Sequence, residues 1–459
     1  MNSKNRYKNE KLILYLSKAF IILVFSCTLY FVWTQYYNPT IPKPFHQYGN
    51  YLLFAVFVAL YYAFVKVYGG FMVGTAQVHD LIFSQIIAIG FQQVILYVIF
   101  SLLSYRLVSP LPFFIMFVLF SAFAALWSLV TDALYFRMHA PKKTVVVFEN
   151  IDSYLSLKGI RSIDKRFTVI RTFNSSKTSL SELFEQIKSV DAVFLCGVPS
   201  DYRNEVVKFC IANNKVAYVK PKISDTIIRG GRTIQLMNVP VYRCKRSDTS
   251  LIYQVIKRFF DIVLSLIAII ISSPIMAVTA LAIRAYDRGP AFYKQVRLTL
   301  NGQKFEIIKF RSMITDAEKD GVARLAGDSD SRITPVGKII RKLRIDELPQ
   351  LFNILKGDMS FVGPRPERPE IAAEYEKDMP EFALRLQVKA GLTGYAQVYG
   401  KYNTPPYDKV QMDLMYIAHQ NIFEDIKLML ITFKILFVPS STEGVKDNQT
   451  TAKRENHKK

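Results

Sequence analysis

Of 459 residues, 51% are apolar and 14% aromatic, and the formal net charge is +22, which leaves room for a membrane region and two further domains. No zinc-finger spacing, basic heptad region or RNA-stacking signature accompanies the charge, so no nucleic acid is expected as partner. Lys and Arg instead crowd the membrane-proximal C-terminal part, where anionic headgroups and diphosphates would meet them. Cys27, Cys196, Cys210 and Cys244 are isolated and the five His are scattered, so neither a disulfide framework nor a zinc site is readable.

In chain order, apolar segments occupy about 12–33, 51–68, 81–104 and 111–131, each near the ~20 residues that cross hydrocarbon. Lys18 interrupts the first, which lacks a small-residue cleavage site and does not read as a removable signal. Lys4, Arg6, Lys8 and Lys11 precede the group and Arg137, Lys142 and Lys143 follow it. Both flanks are therefore expected in the cytoplasm, as an even number of crossings requires. Residues 1–140 are read as a four-helix transmembrane bundle.

Residues 141–245 read as a separate Rossmann-like α/β domain. Strands are expected at Thr144–Phe148, Phe167–Ile170, Ala192–Cys196 and Lys215–Val219, with helices at Leu180–Val190 and Arg203–Ala212. A dinucleotide site needs a glycine-rich turn after the first strand, but Glu149-Asn150-Ile151-Asp152 follows Phe148, so no cofactor is expected there.

The third domain is expected over 250–440. Phe259–Ile283 is long enough to span, yet Ser272-Ser273-Pro274 at its centre predicts a break. Lys245, Arg246, Lys257 and Arg258 precede the segment, and Arg284, Arg288, Lys294 and Arg297 follow it. A helix over 258–284 that dips in and returns keeps both flanks in the cytoplasm; the competing reading is a kinked fifth crossing. A strand from Gln303 to Met313 is expected to carry Lys309 and Arg311 on one face. Thr334–Leu343 has Val336, Ile339, Ile340 and Leu343 at helical spacing, for the membrane surface or the core.

From Arg344 to Pro366 the chain is most informative. Asp346 and Glu347 stand where a helix should begin, with Pro349 in its first turn and Gly357 past its end. A helix N-terminus keeps a carboxylate ionised and welcomes phosphate, although an acidic cap alone would look the same. Gly363-Pro364-Arg365-Pro366 is a rigid turn presenting a guanidinium fork. Beyond Gly391, the residues Gln397, Lys401, Asn403, Tyr407 and Asp408 offer polar groups and an aromatic face for a sugar, or form a polar loop with one packed tyrosine. Ile426–Val438 suits an interfacial or packing helix, and 441–459 a disordered tail.

These motifs, together with Lys257-Arg258-Phe259-Phe260-Asp261, Ser273-Pro274, Phe292–Arg297, Lys309–Met313 and Gly391–Val398, closely resemble the signature of the bacterial sugar transferases, the polyprenyl-phosphate phosphoglycosyl transferases. The resemblance covers about 253–438. With the membrane region added, the chain looks like the large undecaprenyl-phosphate glucose phosphotransferases that initiate capsule or exopolysaccharide repeat units. It implies a multi-pass protein of the bacterial inner membrane with a cytoplasmic catalytic domain and a re-entrant helix bent at Ser273-Pro274. The α/β domain would then have a regulatory or assembly role.

The implied reaction moves a hexose 1-phosphate, glucose first and galactose next, from a UDP-sugar to undecaprenyl phosphate with release of UMP. Asp346 would be the nucleophile and form an aspartyl phosphosugar. Glu347 would hold Mg²⁺, because two carboxylates crowded against a diphosphate repel without a cation. Arg365, Lys309 and Arg311 would bind phosphate, with Arg297, Arg344, Gln397 and Asn403 as further substrate contacts and Pro364 and Pro366 shaping the turn. Thr299 and Lys389-Ala390-Gly391 depart from the family pattern of Arg-x-Gly and Arg-Pro-Gly, which loosens the nucleotide and sugar contacts rather than the acidic pair. Self-association is left open. Two other classes compete: a membrane-anchored regulatory protein with an inactive transferase domain, and a direct glycosyltransferase releasing UDP.

Overall fold

The computed structural model describes residues 3–150, 163–246, 249–315, 330, 332–400 and 404–436. It divides into two units at Lys220/Pro221. In the first, helices α1 (Ser3–Val32), α2 (Gln47–Tyr68), α3 (Val78–Leu103) and α4 (Leu111–Met138) each contain a stretch apolar enough to cross a bilayer. α1 packs on α2 and α4, α2 on α3, and α3 on α4. Phe25 stacks on Phe120 with ring centroids 4.2 Å apart and meets Tyr61 edge-on. Some polar groups inside the helices find partners: the Tyr61 hydroxyl donates to Gln85 Oε1 at 2.6 Å, and Gln85 Nε2 to the Gly70 carbonyl at 2.9 Å.

Strands β1 (Lys142–Phe148), β2 (Phe167–Asn174), β3 (Ala192–Cys196) and β4 (Val216–Val219) form a parallel sheet in the order β2-β1-β3-β4. Helices α5 (Leu180–Lys188) and α6 (Ser200–Ala212) lie between strands in the sequence, so every connection is a crossover, as parallel strands require. Val145, Val147, Val193 and Leu195 of the strands pack with Leu183, Ile187 and Val206 of the helices. Glu149 and Asn150 follow β1, and the remainder of the loop expected to exclude a dinucleotide lies outside the described residues.

The second unit begins earlier than the boundary read near 245. Helix α7 (Ile223–Gly230) packs on a later helix, Pro406–Ala418, where the Ile223 amide donates to the Tyr407 hydroxyl at 3.2 Å. The hairpin β5 (Arg232–Leu236) and β6 (Val239–Arg243) follows it. Hydropathy alone does not register that attachment, because α7 is short and its partner lies nearly two hundred residues downstream.

Helix α8 (Leu251–Asp287) is a single helix of 37 residues, about 55 Å long at 1.5 Å per residue. The break expected at Pro274 is absent. Proline removes the amide that would bond the Ile270 carbonyl, and the Ser273 hydroxyl donates to that carbonyl at 2.8 Å in its place. One face of α8 is covered along most of its length: Asp261 accepts from Ser360 and Phe361, Ala268 and Ile269 pack on Phe305 and Leu351, and Met276 and Ile283 on Phe310 and Ile340. The opposite face, with Ile270, Ile271, Val278 and Leu281, is exposed.

After α8 come the antiparallel β7 (Phe292–Leu298) and β8 (Lys304–Phe310), then α9 (Pro335–Lys342) and α10 (Gln350–Lys356). Strand β9 (Ser360–Val362) pairs in parallel with β10 (Gly391–Thr393), and α11 (Pro369–Asp378) and α12 (Tyr395–Tyr399) flank that pair. Helices α13 (Pro406–Ala418) and α14 (Ile422–Leu436) close the unit over a core of Val362, Ile371, Phe382, Val410, Leu414 and Leu428. The expected tail at 441–459 falls outside the described residues.

Candidate active site

Asp346 and Glu347 do not open α10 as the sequence suggested. They form a 3₁₀ turn of their own, Ile345–Glu347, entered through Arg344 in the left-handed conformation (φ 54°). α10 starts only at Gln350 with Pro349 as its cap residue. The turn is held by tertiary charge: Arg365 Nη2 donates to Glu347 Oε1 at 2.7 Å, Lys309 Nζ to the same oxygen at 3.4 Å, and Arg344 Nη1 stands 4.0 Å from Oε2.

Asn353 sets the register that makes these contacts. Its Nδ2 donates to the Glu306 carbonyl at 2.7 Å and its Oδ1 accepts from the Ile308 amide at 3.0 Å. α10 is thereby bolted edge-on to β8, and Lys309, one residue on, reaches the turn. Arg258 from α8 satisfies the Ile354 and Leu355 carbonyls at the other end of α10, at 2.7 and 2.8 Å.

Arg365 arrives by a close backbone approach. The Gly363 amide donates to the Thr393 carbonyl at 2.8 Å, and the Gly391 amide to the Pro364 carbonyl at 2.9 Å. A Cβ on Gly363 would lie 2.3 Å from the Lys389 carbonyl, and one on Gly391 2.1 Å from the Gly363 nitrogen. Only glycine permits the two turns to touch. The Pro366 carbonyl in turn accepts from Arg297 Nη1 at 3.2 Å.

The structure thus gathers Glu347, Lys309, Arg344 and Arg365, with Arg297 behind the turn. Arg311 is directed elsewhere: β8 ends at Phe310, the strand alternation stops with it, and the guanidinium pairs with Asp287 at the end of α8. Ser273 and Pro274 lie in mid-α8. Gln397 sits in α12, its side-chain amide oxygen and nitrogen both buried without a hydrogen-bond partner among the described residues. Asn403 and Lys401 lie outside the described residues.

A second charge cluster escaped the sequence reading. Arg385, 3% exposed, pairs with Asp413, 1% exposed, at 2.8 Å, and its Nη2 donates to the Arg365 carbonyl at 2.9 Å. Glu367 lies 3.7 Å from Arg385 and 3.9 Å from Arg297. Asp413 and Arg385 therefore hold the backbone of the residue whose guanidinium holds Glu347. A carboxylate one residue before Leu414, on a helix face shared with Val410 and Ile417, was the available signal.

The two neighbouring carboxyls differ sharply. Burial and the adjacent Glu347 charge raise Asp346 to about 6, against the pull of Lys309, Arg341 and Arg365. Burial would raise Glu347 too, but Arg365, Lys309 and Arg344 outweigh it and keep the group far below the usual carboxylate range. Burial also lowers Lys309 from its ordinary value, with Glu347 opposing. Among the described residues no hydrogen bond or ion pair ends on the Asp346 carboxylate, whereas Glu347 has three cations. At neutral pH the pair is thus one restrained anion beside an unrestrained and more basic one.

Among the described residues no three His, Cys, Asp or Glu side chains converge as a ready-made metal site. Mg²⁺ is commonly held by only one or two carboxylates, with substrate phosphates and water completing its shell. The Asp346 carboxylate and Glu347 Oε2, the latter beyond hydrogen-bond range of Arg344, fit that donor set.

Comparison with known proteins matches the part of the chain that carries this site. The family model described as bacterial sugar transferase matches residues 252–439. The UDP-N-acetylgalactosamine-undecaprenyl-phosphate N-acetylgalactosaminephosphotransferase of Aeromonas hydrophila is 43% identical over 188 residues, 40% of this chain and 44% of that protein. The undecaprenyl-phosphate glucose phosphotransferase of Komagataeibacter xylinus is 32% identical over 289 residues, 59% of this chain and 54% of that protein. This chain thus spans about half the length of these two curated relatives. By contrast, the uncharacterized sugar transferase EpsL of Bacillus subtilis (strain 168) is matched over 95% of its own length, at 38% identity across 201 residues, 44% of this chain. With five helices long and apolar enough to cross a membrane among the described residues, the chain is a membrane protein that belongs to the bacterial sugar transferase family.

Proposed function

We propose that the protein transfers a hexose 1-phosphate from a UDP-sugar to undecaprenyl phosphate at the inner membrane, the first step of an exopolysaccharide or capsule repeat unit. The observation that carries this reading is the asymmetry of the dyad: Asp346 is unbonded and titrates near 6, while Glu347 is pinned by Arg365 and Lys309. A carboxylate that is more basic than usual yet ionised at neutral pH is a suitable nucleophile.

In the first step an Asp346 oxygen bonds to the β-phosphorus of the UDP-sugar, the bridging P–O bond breaks, and UMP leaves with that electron pair. In the second step an oxygen of the lipid phosphate bonds to the same phosphorus, and the Asp346 carboxylate departs. Lys309 and Arg365 offset the charge on the phosphoryl oxygens. Mg²⁺, when bound by Asp346 and Glu347, would neutralise the diphosphate and ease departure of UMP. Gln397, whose buried amide has no hydrogen-bond partner among the described residues, suits a substrate hydroxyl or carbonyl.

We read α8 as entering the membrane from the cytoplasmic side without crossing it. The support is its covered face: Asp261, Ala268, Ile283 and Asp287 all touch the catalytic fold, so a perpendicular crossing would drag charged strands into hydrocarbon. Ile339 and Leu343 stay exposed on α9 while Ile340 is buried, as expected at an interface.

The relative at 43% identity favours a second donor, UDP-N-acetylgalactosamine, beside UDP-glucose. UMP release from UDP-glucose, UDP-galactose and their N-acetylated forms, with undecaprenyl phosphate as acceptor, tests both parts. UMP is the expected product. Release of UDP would mean direct glycosyl transfer, and release of neither a binding role.

A further inference from the structure

The second unit contains a cavity of about 670 Å³ that has no part in the chemistry above. It lies among α7, the β5–β6 hairpin, the start of α8, the end of α13 and the start of α14, and neither Asp346, Glu347, Lys309 nor Arg365 lines it. Its volume is within the range of small-ligand sites, about 300–1,000 Å³. The walls are apolar: Ile252, Ile256 and Phe260 from α8 face Ile417 and Phe423. Arg232, Arg243 and Lys245 also line it, and none of its lining residues among the described residues is acidic.

Thr226, Thr249, Ser250, Gln387, Gln420 and Asn421 add neutral polar groups, but all the charged residues among the described lining are cationic, and apolar walls with that charge suit an amphiphile with an anionic head. A nucleotide sugar is polar throughout and would leave those walls unsatisfied. Ile252 and Phe423 at the mouth are 72% and 82% exposed, and Leu251, Val255 and Phe259 continue the apolar surface along α8, so the opening faces the medium from which such a molecule would come. We propose that this cavity binds an anionic diacyl phospholipid of the surrounding bilayer, with an acyl chain against α8 and its phosphate at Arg232, Arg243 and Lys245. The acceptor lipid is a poorer occupant, because its phosphate must reach Asp346. The inference rests on the reading that α8 lies at the membrane, but not on the reaction assigned to the dyad.

Cys244 lines the cavity and is exposed, which makes it a native reporter. The full-length protein in nanodiscs of phosphatidylcholine, with or without phosphatidylglycerol, is alkylated with N-ethylmaleimide, and the Cys244 peptide is followed by mass spectrometry. With phosphatidylglycerol at ten times its Kd the rate should fall about tenfold, since only the empty fraction reacts. Arg232→Gln with Arg243→Gln should weaken the lipid affinity about thirtyfold, from roughly fivefold per cation lost at an anionic surface, so the protection should fall to about 1.3-fold. Ile256→Trp narrows the acyl-chain end of the cavity without changing charge, so it should strongly reduce the lipid dependence. A dependence that persists undiminished in Ile256→Trp would reveal a general surface-potential effect and overturn the proposal. So would equal rates in both nanodiscs, protection by undecaprenyl phosphate alone, or protection that follows protein concentration, which would identify a second copy as the occupant. Native mass spectrometry of the wild type should find phosphatidylglycerol retained. UMP release is read separately, so failure of the lipid site leaves the catalytic assignment untouched.

Discussion

The α/β sheet of the first unit and the catalytic fold of the second bury different chemistry. Around β1 and β3 the core is Val145, Val147, Val193, Leu195, Leu183 and Ile187, uninterrupted by charge. The second unit buries Arg311, Asn353, Arg385, Asp413 and Asp425 beside its apolar clusters. Buried ions cost desolvation energy that apolar residues of the same size do not, so they are poor material for stability alone. Arg385 and Asp413, which stand behind the Pro364–Pro366 turn, mark where the fold spends stability on geometry. Among the described residues the core of the sheet buries no comparable charge.

The contrast can be broken first at its centre. Asp346→Asn should lower UMP release by at least about 10³-fold and abolish a trapped phosphosugar-enzyme, because an amide cannot replace the attacking carboxylate; near-normal turnover would remove covalent catalysis from this residue. Next is Asp413→Ala, which strands Arg385 in the interior. It should destabilise the second unit by about 3–5 kcal/mol, read as a loss of its own unfolding transition. Leu195→Ala in the sheet should cost about 2–5 kcal/mol through its cavity while leaving the specific rate of UMP release unchanged.

A smaller effect is expected for Arg365→Lys, which keeps the charge but loses the fork that serves Glu347 and phosphate together. A fall of about 10–100-fold in kcat/KM would follow from losing about 1.4–2.7 kcal/mol of charge-assisted bonding. The pH profile should be gentler still. Asp346 acts as the ionised form and is raised to about 6, so activity rises with pH through that value and falls about tenfold per unit below it. A limb near 4 would mean that its burial is relieved when substrate binds.

The mildest test concerns the boundary. A chain beginning at Pro221 retains α7 and its bond to Tyr407, whereas one beginning near Ser250 does not. Both should release UMP in detergent, with the longer form melting at higher temperature. If neither is active when folded, the first unit supplies groups to the reaction and the division of labour is wrong.

Much of this was legible from composition and short strings. Hydropathy placed the apolar helices, and short β-rich runs placed β1 and β3, because a parallel strand buried on both faces reads as a near-continuous apolar run. The string from Arg344 to Pro366 announced a dyad and a guanidinium turn, since those residues are adjacent in the chain. The helix start was misjudged by a few residues for a physical reason: a cap is a local preference worth about 1 kcal/mol, and three cations acting on Glu347 outweigh it. Pro274 likewise reads as a breaker until the Ser273 hydroxyl is seen on the Ile270 carbonyl.

Sequence patterns, being local, determined which residues could do phosphoryl chemistry and which segments are apolar enough for a membrane. Tertiary structure alone decided that Lys309 reaches Glu347 while Arg311 turns to Asp287, that Arg385 and Asp413 stand behind Arg365, and that residues 221–245 belong with the catalytic fold. Each of those outcomes depends on contacts between segments tens to hundreds of residues apart. Their energies come from desolvation and Coulomb attraction in an enclosed space, and neither exists until the chain has folded around them.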